Sequence, residues 1–211
     1  MNSTLYLSYF INEETPVYGG AKGVIKISKE RSISEGDNSN NLSLNFPAHV
    51  GTHIDFPFHF SNEGKKSHQY PASFWIFNKI GFVECSVCDI LNHLDNLPPN
   101  IEMLILKTGF GVNRYNAKYW SSQPIIPSSL ANILKNKFLK LRVFGFDLIS
   151  LTSKLDRVEG KNAHMEFLIK NDILVLEDMN LEKLTFTPNK IIIAPLQIHS
   201  ADGVPCNVIA Y

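Results

Sequence analysis

Between residues 47 and 60 the chain reads PAHVGTHIDFPFHF, and its titratable residues, His49, His53, Asp55 and His59, all sit at odd positions. An extended backbone points alternate side chains to opposite faces. One face therefore collects His49, Gly51, His53, Asp55, Pro57 and His59, while Val50, Ile54, Phe56, Phe58 and Phe60 fall on the other with Thr52. The apolar set is expected to anchor the segment in a core and the titratable set to face a cavity. A straight strand rising ~3.3 Å per residue would hold His49 and His53 roughly 13 Å apart, near the limit for sharing one ion, so the chain must bend. Gly51 tolerates the backbone angles of a bend, and Pro57 forbids continuation as a central strand. So bent, the segment can bring His49, His53 and Asp55 onto one divalent cation, because neutral imidazole and carboxylate both suit a borderline ion such as zinc. His59, beyond the proline, more naturally flanks the cation as an acid/base group. Taken singly, each of these residues reads as a structural histidine or a capping aspartate; their shared face argues for a site.

The remainder of the chain limits what such a site can serve. With 20 basic and 20 acidic residues the net charge is zero, which leaves no electrostatic footprint for nucleic acid or an anionic membrane and favours a small neutral ligand. No stretch of about 18 apolar residues is present to span a bilayer, and the first residues lack the basic and apolar regions of a signal peptide, so a cytoplasmic location is expected. Three cysteines do not make a disulfide framework, and the CxxC of Cys85 and Cys88 lacks the second pair of a structural zinc site. Both are expected to be small core residues. No GxSxG elbow and no phosphate-binding glycine loop occurs, so neither a serine nucleophile nor a nucleotide site is indicated.

A single mixed α/β domain over residues 1–211, β-rich in its first third, is expected. TLYLSYF, GVIKIS and LSLNF read as early strands separated by turn residues. GFVECSV, EMLILK, RVFGFD, DILVLEDM and NKIIIAPL read as later, largely buried strands. PSSLANILKNKFLKL places Leu130, Ile133, Leu134 and Leu141 at helical spacing behind a serine cap, and NAHMEFLIKN reads as a short helix. Strand and helix therefore alternate in the second half.

His49, Gly51, Thr52, His53, Asp55, Pro57 and His59 match the HxGTHxDxPxH signature of the cyclase family, which includes bacterial metal-dependent kynurenine formamidases and isatin hydrolases. ILKTGF, VFGFDLIS, AHMEFLIKNDILVLEDMNL and APLQIHSADGVPC resemble the family's later segments in order. The resemblance implies a swivelling β/β/α fold and a homo-oligomer, dimer or tetramer. It also implies hydrolysis of a C–N amide bond, as in an arylformamide of tryptophan catabolism, with a cyclic-amide hydrolase or a biosynthetic cyclase as the enzymatic alternative. A metal- or metabolite-binding protein on the same fold is the alternative from another class. By position it makes His49, His53 and Asp55 metal ligands, joined by His164 and Glu177 at a second position, for one or two zinc ions, with manganese also possible. His59 becomes the proton donor and acceptor. His164 and Glu177 stand thirteen residues apart, one more than the family pattern, so one inserted residue is implied.

Two departures bear on the substrate. Where the family has an aromatic Trp-Pro-Gly segment, TPVYGG offers Tyr18 as the substrate-binding ring, suited to stack on an aromatic amide. Where the family has arginine after the GxP turn, this chain has Asn207 in or near that place. Of the other residues, His199 is a weaker candidate to face the pocket, His68 and His93 are expected at the surface, and Phe74, Trp75 and Phe77 in the core or at a dimer contact.

Overall fold

Four runs that are apolar at nearly every position, rather than at every second one, demand cover on both faces of a sheet, as parallel strands have. The computed structural model describes residues 4–211 and shows this arrangement. Its strands are β1 (Leu5–Tyr6), β2 (Lys26–Arg31), β3 (Asn41–Asn45), β4 (His53–Asp55), β5 (Ile76–Phe77), β6 (Ile80–Glu84), β7 (Met103–Lys107), β8 (Val143–Phe146), β9 (Leu174–Glu177), β10 (Ile191–Pro195) and β11 (Gly203–Ala210). The α-helices are α1 (Lys118–Ser121), α2 (Ser129–Lys137) and α3 (Arg157–His164). Strands β6, β7, β8 and β9 lie side by side in that order, all parallel. At β9 the sheet changes character, because β4, β11, β10 and β5 continue it with antiparallel pairings and β1 adds to β11. The result is one mixed α/β domain, with β2 and β3 forming a separate two-stranded ribbon.

The core is continuous across the seam: Ile54 and Phe56 from β4 and its exit pack with Leu104, Phe144, Val175, Val204 and Val208. Val50 instead joins Val17 and Ile25 in a small cluster beneath the ribbon. Among the described residues no helix is long and apolar enough to cross a membrane.

Several expectations are corrected. The first strand shrinks to Leu5–Tyr6. The serine cap of α2 is not made by a side chain; the Ser128 backbone N–H donates to Glu159 at 2.6 Å instead. Ile133 lies near the surface while Leu130, Leu134 and Leu141 are buried. The short helix expected at 162–171 starts at Arg157, behind Asp156, whose carboxylate accepts from the Glu159 N–H at 2.9 Å, and its last turns, Met165–Lys170, widen into a π-helix. Cys88 is exposed and Cys85 only partly covered, so the expectation of two core cysteines fails; Cys206 is the buried one. Phe77 is buried, and Phe74 and Trp75 pack partly covered against the core, as expected.

Candidate metal centre

The opening segment bends where the glycine and proline require. Gly51 has φ of +59°, a left-handed conformation that L side chains rarely adopt, and Pro57 starts a tight helical turn ending at His59. Only His53–Asp55 between them is strand. In β4, His53 lies directly opposite Glu177 of β9, and Asp55 opposite Gly203 of β11. Directly opposed residues share a face of the sheet, so the pairing places His53, Asp55 and Glu177 together at the seam. The turn at Pro57 also breaks the alternation. Phe60, expected in the core face, packs partly buried against the core but also lines the cavity and stacks on the His164 ring with centroids 4.4 Å apart.

His53 Nε2 lies 3.5 Å from Asp55 Oδ1 and 3.3 Å from Glu177 Oε2. His164 Nε2, from the end of α3, lies 3.5 Å from Asp55 Oδ2 and 3.6 Å from Glu177 Oε1. His49 Nδ1 is 2.8 Å from Asp55 Oδ1. All six residues expected at the site therefore meet in one cavity of about 320 Å³, His59 at its more open side, with Tyr18 at the rim beside Pro16. The inserted residue between His164 and Glu177 does not separate them. His199 is not part of this cavity; it stacks on His68 outside it, with ring centroids 4.1 Å apart. His68 and His93 are exposed, as expected, and Asn207 faces outward on β11.

Each imidazole is held from behind. The Nδ1 of His53 bonds the Gly51 carbonyl at 2.8 Å, the Nδ1 of His164 bonds the Gly160 carbonyl at 2.8 Å, and the Nε2 of His49 bonds Asp202 at 3.0 Å. The opposite nitrogen of each ring is thereby turned toward the two carboxylates. Glu177 is fixed in turn by the Leu151 N–H at 2.6 Å. Imidazoles whose far nitrogens are tied to acceptors while their near nitrogens converge on carboxylates are the donor set a divalent cation requires. Two groupings lie close enough to hold an ion, His49 with Asp55 and His59, and His53 with Asp55 and Glu177, sharing Asp55.

Without a cation, protons occupy the same places. Burial alone would push His49 down, but its hydrogen bond to Asp55 and that of its other nitrogen to Asp202 raise it to about 9. Burial likewise opposes His164, and Asp55 and Glu177 overcome it, raising it to about 10. Asp55 is buried, which disfavours its charge, yet His164 and His49 hold it well below the usual carboxylate range.

Sequence reading missed Asp202. Its Oδ2 accepts from both His49 Nε2 at 3.0 Å and His59 Nδ1 at 2.9 Å. The only local hint was the ADG turn before what proves to be β11, a strand that Pro205 disguises.

The family model described as putative cyclase matches residues 5–152, and the chain belongs to that family. Among curated proteins, the kynurenine formamidase of Geobacillus thermodenitrificans is 28% identical over 217 residues, spanning 97% of this chain and 95% of that one. The kynurenine formamidase of Bacillus cytotoxicus is 30% identical over 190 residues, spanning 88% and 84%. Isatin hydrolase A from Labrenzia aggregata shares the fold, with a TM-score of 0.83 at 18% identity over 99% of this chain and 93% of that one.

Proposed function

We propose that this chain, an amide hydrolase of the cyclase family, cleaves the C–N bond of an arylformamide such as N-formylkynurenine. The observation that carries the reading is the convergence of three back-tethered imidazoles on two buried carboxylates. In this reading His49, His53, Asp55, His164 and Glu177 hold the metal, zinc as one or two ions or manganese in its place, since imidazole and carboxylate suit these ions. When bound, such a cation activates water and polarises the carbonyl as a Lewis acid.

The chain's own residues supply the rest. His59 stands at the open side of the cavity with its Nδ1 engaged by Asp202, which leaves Nε2 as the nitrogen able to accept and return a proton. It takes the proton of the attacking water and delivers it to the leaving nitrogen as the C–N bond breaks, releasing formate and the arylamine. Tyr18, Pro16 and Phe60 form the apolar walls against which an aromatic ring lies. The same chemistry would open a cyclic amide such as isatin, but the curated relatives favour the formamide. Membership in a homo-oligomer belongs to the reading, supported by the apolar Ile76, Leu196 and Ile198 exposed along one end of the sheet. So do a cytoplasmic setting and a place in tryptophan breakdown.

Comparing N-formylkynurenine with isatin as substrates of the zinc-loaded chain tests the reading. Formamide turnover is expected; turnover of isatin alone would reassign the substrate, and turnover of neither would favour a binding protein on this fold.

A further inference from the structure

We propose that Asp202 and Gly203, at the entry to β11, form a positioning element that sets both the ring orientation of His49 and the tautomer of His59. This rests on the reading of His59 as the proton-moving group. One carboxylate oxygen, Asp202 Oδ2, accepts from both rings, His49 Nε2 at 3.0 Å and His59 Nδ1 at 2.9 Å. The two rings are drawn together, with centroids 4.1 Å apart and planes tilted by 33°. Asp202 is itself anchored, because its carbonyl accepts the Phe56 N–H at 2.9 Å, tying the start of β11 to the exit of β4.

Gly203 supplies the second half of the device. A Cβ on Gly203 would stand 2.3 Å from His49 Cε1 and 2.8 Å from both ring nitrogens. The His49 imidazole therefore occupies the place of a side chain, pressed against bare backbone on one side and gripped by Asp202 at its rim. Two consecutive residues, one by what it bonds and the other by what it lacks, hold the same ring.

The consequence is a division of nitrogens. With Nε2–H donated to Asp202, His49 presents Nδ1 to the Asp55 side of the cavity. With Nδ1–H donated to the same oxygen, His59 keeps its lone pair on Nε2. A carboxylate behind a ligating or proton-moving histidine fixes the tautomer and ring direction, and losing it typically costs about 10–100-fold in metal affinity or activity.

The test compares Asp202→Ala, Asp202→Asn and Gly203→Ala with the zinc-loaded wild type, reading metal content, kcat and KM on N-formylkynurenine, and histidine tautomers by ¹⁵N-correlated imidazole NMR. In Asp202→Ala, His59 is expected to leave the Nδ1–H form and kcat to fall by about 10–100-fold with KM nearly unchanged. Asp202→Asn, whose amide oxygen still accepts one N–H, is expected to recover part of kcat. Gly203→Ala is expected to lower zinc affinity while leaving the His59 tautomer in place. Unchanged His59 tautomer and kcat in Asp202→Ala, or wild-type zinc affinity in Gly203→Ala, would overturn the proposal. If Asp202→Ala does not fold, Asp202→Asn and Gly203→Ala still decide it through the same readouts. A wild type without formamide turnover whose His59 tautomer nevertheless depends on Asp202 would refute the substrate while upholding the positioning role.

Discussion

Glu177 and Asp178 are neighbours in sequence, both buried, and belong to two polar clusters built on opposite principles. Asp178 receives the Arg114 guanidinium at 2.7 to 3.1 Å and the Tyr119 hydroxyl at 2.6 Å, with Tyr9 stacked over the guanidinium. Its charge and hydrogen bonds are met by protein. Across the candidate metal centre, by contrast, His53 and His164 stand 3.3 to 3.6 Å from Asp55 and Glu177, longer than good hydrogen bonds. Four buried side chains point at one another without closing. Burial and charge alone thus do not mark a functional cluster. Contacts left open at its centre and tethered at its rim single out the candidate site.

The largest expected effect falls on the open cluster's chemistry. His59→Ala should lower kcat by about 10²–10⁴-fold while the cation is retained, as measured by steady-state kinetics beside elemental analysis. Loss of the cation with the activity would instead place His59 among the ligands and blur the division of labour drawn here.

Removing one partner of the closed cluster should cost stability. Arg114→Ala leaves Asp178 as an uncompensated buried charge, at about 3–5 kcal/mol in urea unfolding. Glu177→Gln, one residue away, keeps an acceptor for the Leu151 N–H and leaves Asp55 to pair with His53 and His164, so it should cost less than Arg114→Ala in the metal-free chain, yet abolish cation binding. Equal stability losses in the two variants would dissolve the contrast between the clusters.

The clusters should also part in their response to pH. In the metal-free chain His49 and His164 are raised to about 9 and about 10, above an unfolded value of about 6.5. Their stabilisation is complete below about pH 6.5 and is lost as pH rises through about 9 and 10. Denaturation of the chelator-treated chain should show that decline. Cation affinity, measured by titration, should move the other way over the same rise, because the ion displaces those protons. The smallest effect is local: Gly51→Ala, forced into a left-handed backbone with its Cβ 3.3 Å from Ile11, should cost about 1–2 kcal/mol in the same unfolding assay.

Legibility followed distance along the chain. His49, His53, Asp55 and His59 lie within eleven residues, so alternation and two backbone punctuators sufficed to join them and to predict the bend at Gly51. The later strands were equally plain as buried strands from their apolar runs, but not their directions, since the same kind of run forms the parallel β7 and the antiparallel β10. His164 and Glu177 are brought in by α3 and β9, and only family resemblance pointed to them. Asp202 was hidden because it arrives from 143 residues beyond His59, in the bend just before a strand whose proline argues against a strand. Phe60 packs partly buried against the core as its parity indicates, but its second role in the cavity wall was not legible, because the turn at Pro57 rotates the chain after alternation stops applying. Arg114 and Asp178, 64 residues apart, carried no local sign of their pairing.

The most direct test of the central claim is the rate of N-formylkynurenine hydrolysis by the chelator-stripped chain as zinc or manganese is added back, plotted against ions bound per chain. Turnover should be absent in the stripped chain and rise in proportion to occupancy until one or two ions are bound. Full turnover without any bound ion would contradict the account.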